Sequence, residues 1–185
     1  MTVPFVSSLG GRFCLGILFL SIVGVGAGVA HLRIYGLSAR AKPSALEIWL
    51  ARRVRSLATP SSVRDLVNPM RANDLFIAEA RDHFADHCAF CHGNRGDGKT
   101  SIGEGLFPPP PDLRAEETQN LSDGEIFNII KNGIRFTGMP GFGGSDEDNW
   151  KLTMFIRHLP SLSDEERKLM NEINRLEGTH HDQAE

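Results

Sequence analysis

Residues 84–93 read Phe84-Ala85-Asp86-His87-Cys88-Ala89-Phe90-Cys91-His92-Gly93. Two thiols three positions apart, followed at once by a histidine, form the attachment pattern of a c-type haem. Placed just past a helix end, both sulfurs can reach the vinyl groups on one porphyrin edge and form thioethers. His92 then lies under the ring with an imidazole nitrogen free for iron. Two other readings compete. A zinc site needs two further ligands at suitable spacing. Cys14 is the only other cysteine and sits in an apolar stretch, which leaves a mixed site with His83 or His87. A thioredoxin-like dithiol follows a strand in a βαβ unit, and no parallel-strand pattern occurs here. The adjacent histidine and the helix before the motif favour haem.

Haem iron in an electron carrier takes a second axial ligand, and methionine paired with histidine raises the potential. The methionines are Met1, Met70, Met139, Met154 and Met170. Met154 and Met170 fall in helical patterns and read as core residues, and Met70 precedes the main domain. Met139 lies in Arg135-Phe136-Thr137-Gly138-Met139-Pro140-Gly141-Phe142. Glycine allows close backbone approach and proline stiffens the loop, which suits a thioether held against a haem face. His158 is the second candidate, with helix capping as its other role. Arg114, Arg135 and Lys99 are candidates for neutralising propionates, or simply solvated charges.

Working outward, the helical periodicity predicts segments at 74–87, 123–131, 145–158 and 163–176. Ser122-x-x-Glu125 and Ser163-x-x-Glu166 are capping boxes at two of their starts. Long Gly/Pro-rich loops at 93–112 and 134–144 separate them. Loops of that length in a small domain imply that they wrap something, and a bound cofactor would thicken a thin core. Upstream, Pro43 and Ser44 open another helix with a Ser44-x-x-Glu47 box. Its Leu46, Trp49, Leu50, Val54 and Leu57 make an apolar stripe, with Arg52, Arg53 and Arg55 mostly off it. That stripe either lies on a membrane surface or packs onto the following domain.

Residues 13–30, FCLGILFLSIVGVGAGVA, are 18 positions without a charge. This exceeds a secretory h-region of about 7–15 residues and approaches the ~20 needed to span a bilayer. A retained anchor is therefore expected, with cleavage after Ala30 as the alternative. Four glycines and no polar face argue against a water-soluble core helix. The expected layout is an anchor or signal segment at 1–30, a basic amphipathic connector at 31–72, a haem domain at 73–177 and a flexible tail at 178–185. The 185 residues carry a net charge of −3, distributed as +1 over 1–30, +6 over 31–71 and −10 over 72–185. An acidic main domain argues against nucleic-acid binding.

Region 73–160 resembles the class I mono-haem cytochrome c domain, in a membrane-anchored bacterial form. The matching features are Phe84 four residues before Cys88, the CAFCHG run, the GDGK and FPPPPDL loops, GIRFTGMPGF, and a closing helix with Trp150 and Phe155. The resemblance implies an all-α cytochrome c fold wrapped around one covalent haem, preceded by a transmembrane helix. It implies thioethers at Cys88 and Cys91, His92 as proximal and Met139 as distal iron ligand. It also implies that a proline carbonyl from the 108–111 run, with Pro108 or Pro109 favoured, orients the proximal imidazole. The family usually has glycine where this chain has Ala80.

The function expected is electron transfer by one haem c with His/Met-ligated iron, without substrate chemistry. The alternatives are a haem subunit of a larger membrane-bound oxidoreductase, such as a respiratory complex, and a gas- or peroxide-binding protein, which a ligated Met139 would block. Partners are redox proteins and, through the N-terminal helix, the membrane. Haem attachment outside the cytoplasm places the domain on the periplasmic side of a bacterial inner membrane. The arginines after the apolar stretch run against the positive-inside rule. Contact with anionic lipid or with the acidic domain would account for them.

Overall fold

A computed structural model describes residues 9–174. The expected tail at 178–185 lies outside the described residues. The described chain is helical and, among these residues, contains no strand, in agreement with the all-α expectation. It divides into two compact units between Ala41 and Lys42.

The first unit is one helix, α1, Leu9–Tyr35, of 27 residues. At 1.5 Å per residue it is about 40 Å long, enough to cross a hydrocarbon core of roughly 30 Å. Within Gly10–Tyr35 an 18-residue window reaches a mean hydropathy of 2.3, so the helix is long and apolar enough to cross a membrane. It extends beyond the uncharged stretch at both ends, because Arg12 and Arg33 are good helix formers.

The second unit begins with α2 (Ala45–Ala58), α3 (Ser61–Arg64) and α4 (Asp74–His83). A five-residue π-helical turn, Phe84–Cys88, and α5 (Ala89–His92) continue the last of these. After a loop come α6 (Glu116–Gln119), α7 (Asp123–Asn132), α8 (Asp146–His158) and α9 (Asp164–Ile173). The three Ser-x-x-Glu boxes at Ser44, Ser122 and Ser163 all form, each with both reciprocal hydrogen bonds. Such caps satisfy amide groups that the first helical turn leaves open.

The core is where α4, the π turn and α8 pack together. Ala80, Phe84, Ala85, Ala89, Leu152, Phe155 and Met170 are buried in it. Phe84 and Phe155 meet in a tilted pair with centroids 5.3 Å apart. Ala80 is 2% exposed, so a methyl group fits where the family usually has hydrogen. Lys151 Nζ bridges the helices outside the core, 2.6 Å from Glu79 of α4 and 2.9 Å from Glu147 of its own helix. On the other side of α8, Trp150 stacks on Phe127 of α7 at 4.1 Å. Arg157 ties α8 to the 119–123 corner through Asp123 and the carbonyls of Gln119 and Leu121.

Residues 31–35 of the expected connector belong to α1, and from Lys42 onward the connector is part of this second unit. The Cα of Gly124, at the start of α7, lies so close to the Val63 carbonyl that any Cβ would collide with it. Asn68 donates to the Trp150 carbonyl at 3.0 Å. The apolar stripe of α2 is not used in this packing, since α2 buries no residue.

Candidate haem site

The helix expected over 74–87 changes character at Phe84. The Ala89 N–H donates to the Phe84 carbonyl, five residues back, in place of an α-helical bond. The widened turn lets Phe84, Ala85 and Ala89 all face the core while Asp86 and His87 remain exposed. π turns of this kind occur frequently at functional sites. Here the turn sets the rotation of the Cys88–His92 segment relative to the core.

Gly93 stops α5, with φ 74 and its N–H on the Ala89 carbonyl at 2.8 Å. The loop then doubles back and holds the motif. Gly98 N–H donates to the His92 carbonyl at 2.8 Å. The Thr100 hydroxyl donates to the Phe90 carbonyl at 2.8 Å and, at 3.3 Å, to that of Cys91. The same hydroxyl accepts from Gly103 N–H at 2.8 Å. A Cβ on Gly103 would come within 2.5 Å of the Cys91 carbonyl oxygen, so this turn lies directly on the motif's backbone.

Residues 110–113 run against the same loop. Leu113 N–H donates to Gly96 at 2.7 Å, and a Cβ on Gly98 would stand 2.5 Å from the Pro110 carbonyl oxygen. This register brings the Pro111 carbonyl, rather than that of Pro108 or Pro109, to the His92 imidazole. Pro108, Pro109 and Pro111 are all exposed, so exposure does not separate them. The Pro111 contact favours a protonated ring, yet His92 Nδ1 is buried without a partner in hydrogen-bond geometry.

Burial decides the protonation states. It pushes the Cys88 thiol up to about 12, assisted by the neighbouring Cys91, and raises Cys91 as well. It pushes His92 down to about 4 against the pull of Pro111. Both sulfurs are free thiols at neutral pH and the imidazole is neutral, with a lone pair for a metal. A redox dithiol works through depressed thiol pKa values, the opposite of the shift here. Among the described residues, no group of three His, Cys, Asp or Glu side chains could hold a metal ion. The donor set, two thiols and one half-buried neutral imidazole whose Nδ1 is enclosed, fits a covalently attached haem.

The Met139 loop is built separately and closely. Its carbonyl accepts from Ile134 N–H at 3.1 Å, and its N–H donates to the Thr137 hydroxyl at 3.1 Å. Phe142 and Gly143 N–H groups donate to Ile130 and Lys131 at the end of α7, at 3.1 and 3.0 Å. Asn149 of α8 donates to the Gly143 carbonyl at 2.6 Å. Leu106 connects the two halves. Its N–H bonds Gly103 at 3.1 Å, beside the Cys91 carbonyl, and its side chain covers Gly138, where a Cβ would be 2.8 Å away. The structure thus joins the Cys88–His92 segment and the Met139 loop through one short turn.

The competing ligands are occupied elsewhere. Met154 and Met170 are buried, the latter completely. His158 Nε2 pairs with Glu166 Oε1 at 2.8 Å. Arg114 is held by both Asp112 oxygens at 2.9 and 2.8 Å, and Lys99 and Arg135 are exposed. Thr100, Leu106 and Asn149 were not among the residues expected from sequence, whereas Pro111 lies within the 108–111 run that was. A Thr within a Gly/Pro-rich loop, as at Thr100, is the signal that points to such a backbone-holding role.

No curated protein matches the chain with significance. Residues 76–156 match the family described as cytochrome c oxidase, cbb3-type, subunit III. That span runs from within α4 into α8 and includes the Cys88–His92 segment and the Met139 loop. The match indicates a c-type cytochrome domain over these residues, and such a domain implies covalently bound haem c with its iron.

Proposed function

We propose that the chain is a membrane-anchored electron-transfer protein carrying one haem c, without substrate chemistry of its own. The haem supplies a one-electron ferric/ferrous couple. Cys88 and Cys91 each add an S–H across a vinyl group, the sulfur bonding one carbon and the hydrogen the other. His92 is the proximal ligand, aided by the Pro111 carbonyl, and Met139 the distal ligand. The observation that carries this reading is the half-buried His92 imidazole, kept neutral by its surroundings, immediately after two free thiols. In this reading α1 is a retained anchor in a bacterial inner membrane, and residues 73–177 form the haem domain on the periplasmic side.

The test is haem staining after denaturing electrophoresis. The native chain should stain, and the Cys88→Ser, Cys91→Ser double variant should release its haem into acid acetone. Full stain in that variant would defeat the attachment sites. A second reading, a haem subunit of a larger oxidase, is favoured by the description of the matched family. Purification in mild detergent separates the two: co-migration with other haem or copper subunits supports the second, a monomer the first.

A further inference from the structure

We propose that α2 is an interfacial helix that lies on an anionic lipid surface, with Leu46, Leu50, Val54 and Leu57 in the acyl boundary and Trp49 and Arg53 at headgroup level. The proposal rests on the reading of α1 as a membrane span and adds a second, independent membrane contact.

The first observation is orientation. Arg52 pairs with Glu117 of α6 at 3.7 Å, and Arg55 is half-buried, so this side of α2 faces its own domain. Ile48, on the same side, is the least exposed large apolar residue of the helix, at 38%. Leu46, Leu50, Val54 and Leu57 recur at four-, four- and three-residue spacing and therefore share the opposite side. They are 70, 53, 56 and 86% exposed. The stripe thus points away from the domain, which removes packing onto it as an explanation.

The second observation is that α2 is held firmly in this pose. Arg64 donates to the Ser56 and Thr59 carbonyls at the end of α2 and lies 3.5 Å from Glu125 of α7. The Ser44–Glu47 box fixes its start. An apolar face this large, presented by a fixed helix, needs cover.

Charge and continuity identify the cover as lipid. Arg53 stands over the Trp49 ring at 5.8 Å, so a cation sits at the edge of the apolar face. Arg40 and Lys42 precede the helix and are exposed. Basic residues beside an apolar stripe, with a tryptophan at the border, are the composition that binds anionic bilayers. Nine residues, Gly36–Ser44, separate the end of α1 from the start of α2. Fully extended they span only about 30 Å, so a membrane-spanning α1 keeps α2 close to the same bilayer.

The experiment uses the full haem-loaded chain in vesicles of phosphatidylethanolamine and phosphatidylglycerol containing a phospholipid with a diazirine in its acyl chain. After illumination, adducts are mapped by mass spectrometry. Adducts are expected on α1 and on Leu46, Leu50, Val54 and Leu57, but not on Ile48 or Arg55. Replacing phosphatidylglycerol with phosphatidylcholine should lower the α2 adducts by about five-fold per headgroup-facing arginine and leave α1 unchanged. Leu50→Asp with Leu57→Asp, both at exposed positions, should abolish the α2 adducts while the haem spectrum stays intact. Adducts on α1 with α2 bare would overturn the proposal. So would disulfide formation between two Leu50→Cys chains, which would identify a second copy as the cover. Absence of residues 9–35 from the purified chain, by intact mass, would instead defeat the anchor reading. Co-sedimentation of that shortened chain with anionic vesicles would still support α2, and its failure to sediment would overturn it.

Discussion

Gly133 and Met139 are in direct backbone contact: a Cβ on Gly133 would lie 2.7 Å from the Met139 carbonyl oxygen and 2.5 Å from the Gly141 amide nitrogen. Gly133 has φ 69 and ψ −169, a region that side-chain-bearing residues essentially avoid. The close approach lets the loop fold back onto the end of α7. Gly133→Ala should cost on the order of 1–3 kcal/mol in backbone strain and push the loop outward. The expected readout is a weakened far-red iron–sulfur band together with carbon monoxide binding by the reduced protein. An unchanged band at unchanged stability would show that the loop's position does not depend on this contact.

Thr100 should act through the motif's backbone. Its hydroxyl serves the Phe90 carbonyl and the Gly103 amide, both at 2.8 Å. Thr100→Val keeps the shape and removes both bonds, for an expected loss of about 1–3 kcal/mol. Thr100→Ser should recover most of it. Guanidinium unfolding of the haem-loaded protein is the measurement, and equal midpoints for Val and Ser would rule out the hydroxyl.

The local devices were legible in sequence. Each Ser-x-x-Glu box needs only four residues to agree, and all three form. Met154 and Met170 were legible as core from helical spacing alone, and both are buried. The π turn at Phe84–Cys88 was not, because an extra backbone residue there is favoured by the packing of Phe84, Ala85 and Ala89 together. Pro111, in place of Pro108 or Pro109, depends on how the 110–113 segment packs against Gly96 and Gly98, which are more than ten residues away in the chain. The stripe of α2 was legible, but its direction was not. That is set by the pairs Arg52–Glu117 and Arg64–Glu125.

Asp112 should govern part of the acid stability. The Arg114 side-chain hydrogen bond holds its carboxyl below the usual value against the opposing effect of burial, with the Arg114 amide and the charges of Arg114 and Lys99 assisting. Because the folded value is the lower one, the ionised carboxylate stabilises the fold fully above about pH 4. That contribution is lost as the pH falls through the lowered folded value. Asp112→Asn should therefore be less stable than the native chain at neutral pH, and the gap should close below about pH 4. Denaturant midpoints measured across pH give the comparison, and a gap constant down to about pH 2 would contradict it.

Met139, rather than Met154 or Met170, should control the iron. A thioether is a soft neutral donor that favours the ferrous state, so replacing it with imidazole lowers the potential. Met139→His should lower the midpoint potential by on the order of 100 mV or more. Met139→Ala should remove the far-red band and admit carbon monoxide to the reduced protein. The loop's hydrogen bonds run through backbone and through Thr137 and Asn149, so neither change should unfold it. Met154 and Met170 are 9% and 0% exposed and carry packing instead. Their replacement by Ala should leave the iron spectrum alone and cost about 2–5 kcal/mol. A Met139→Ala protein that kept a Met-ligated spectrum would exclude Met139. Attention would then move to Met154, because His158 is engaged with Glu166 at 2.8 Å and would have to break that pair to reach a metal.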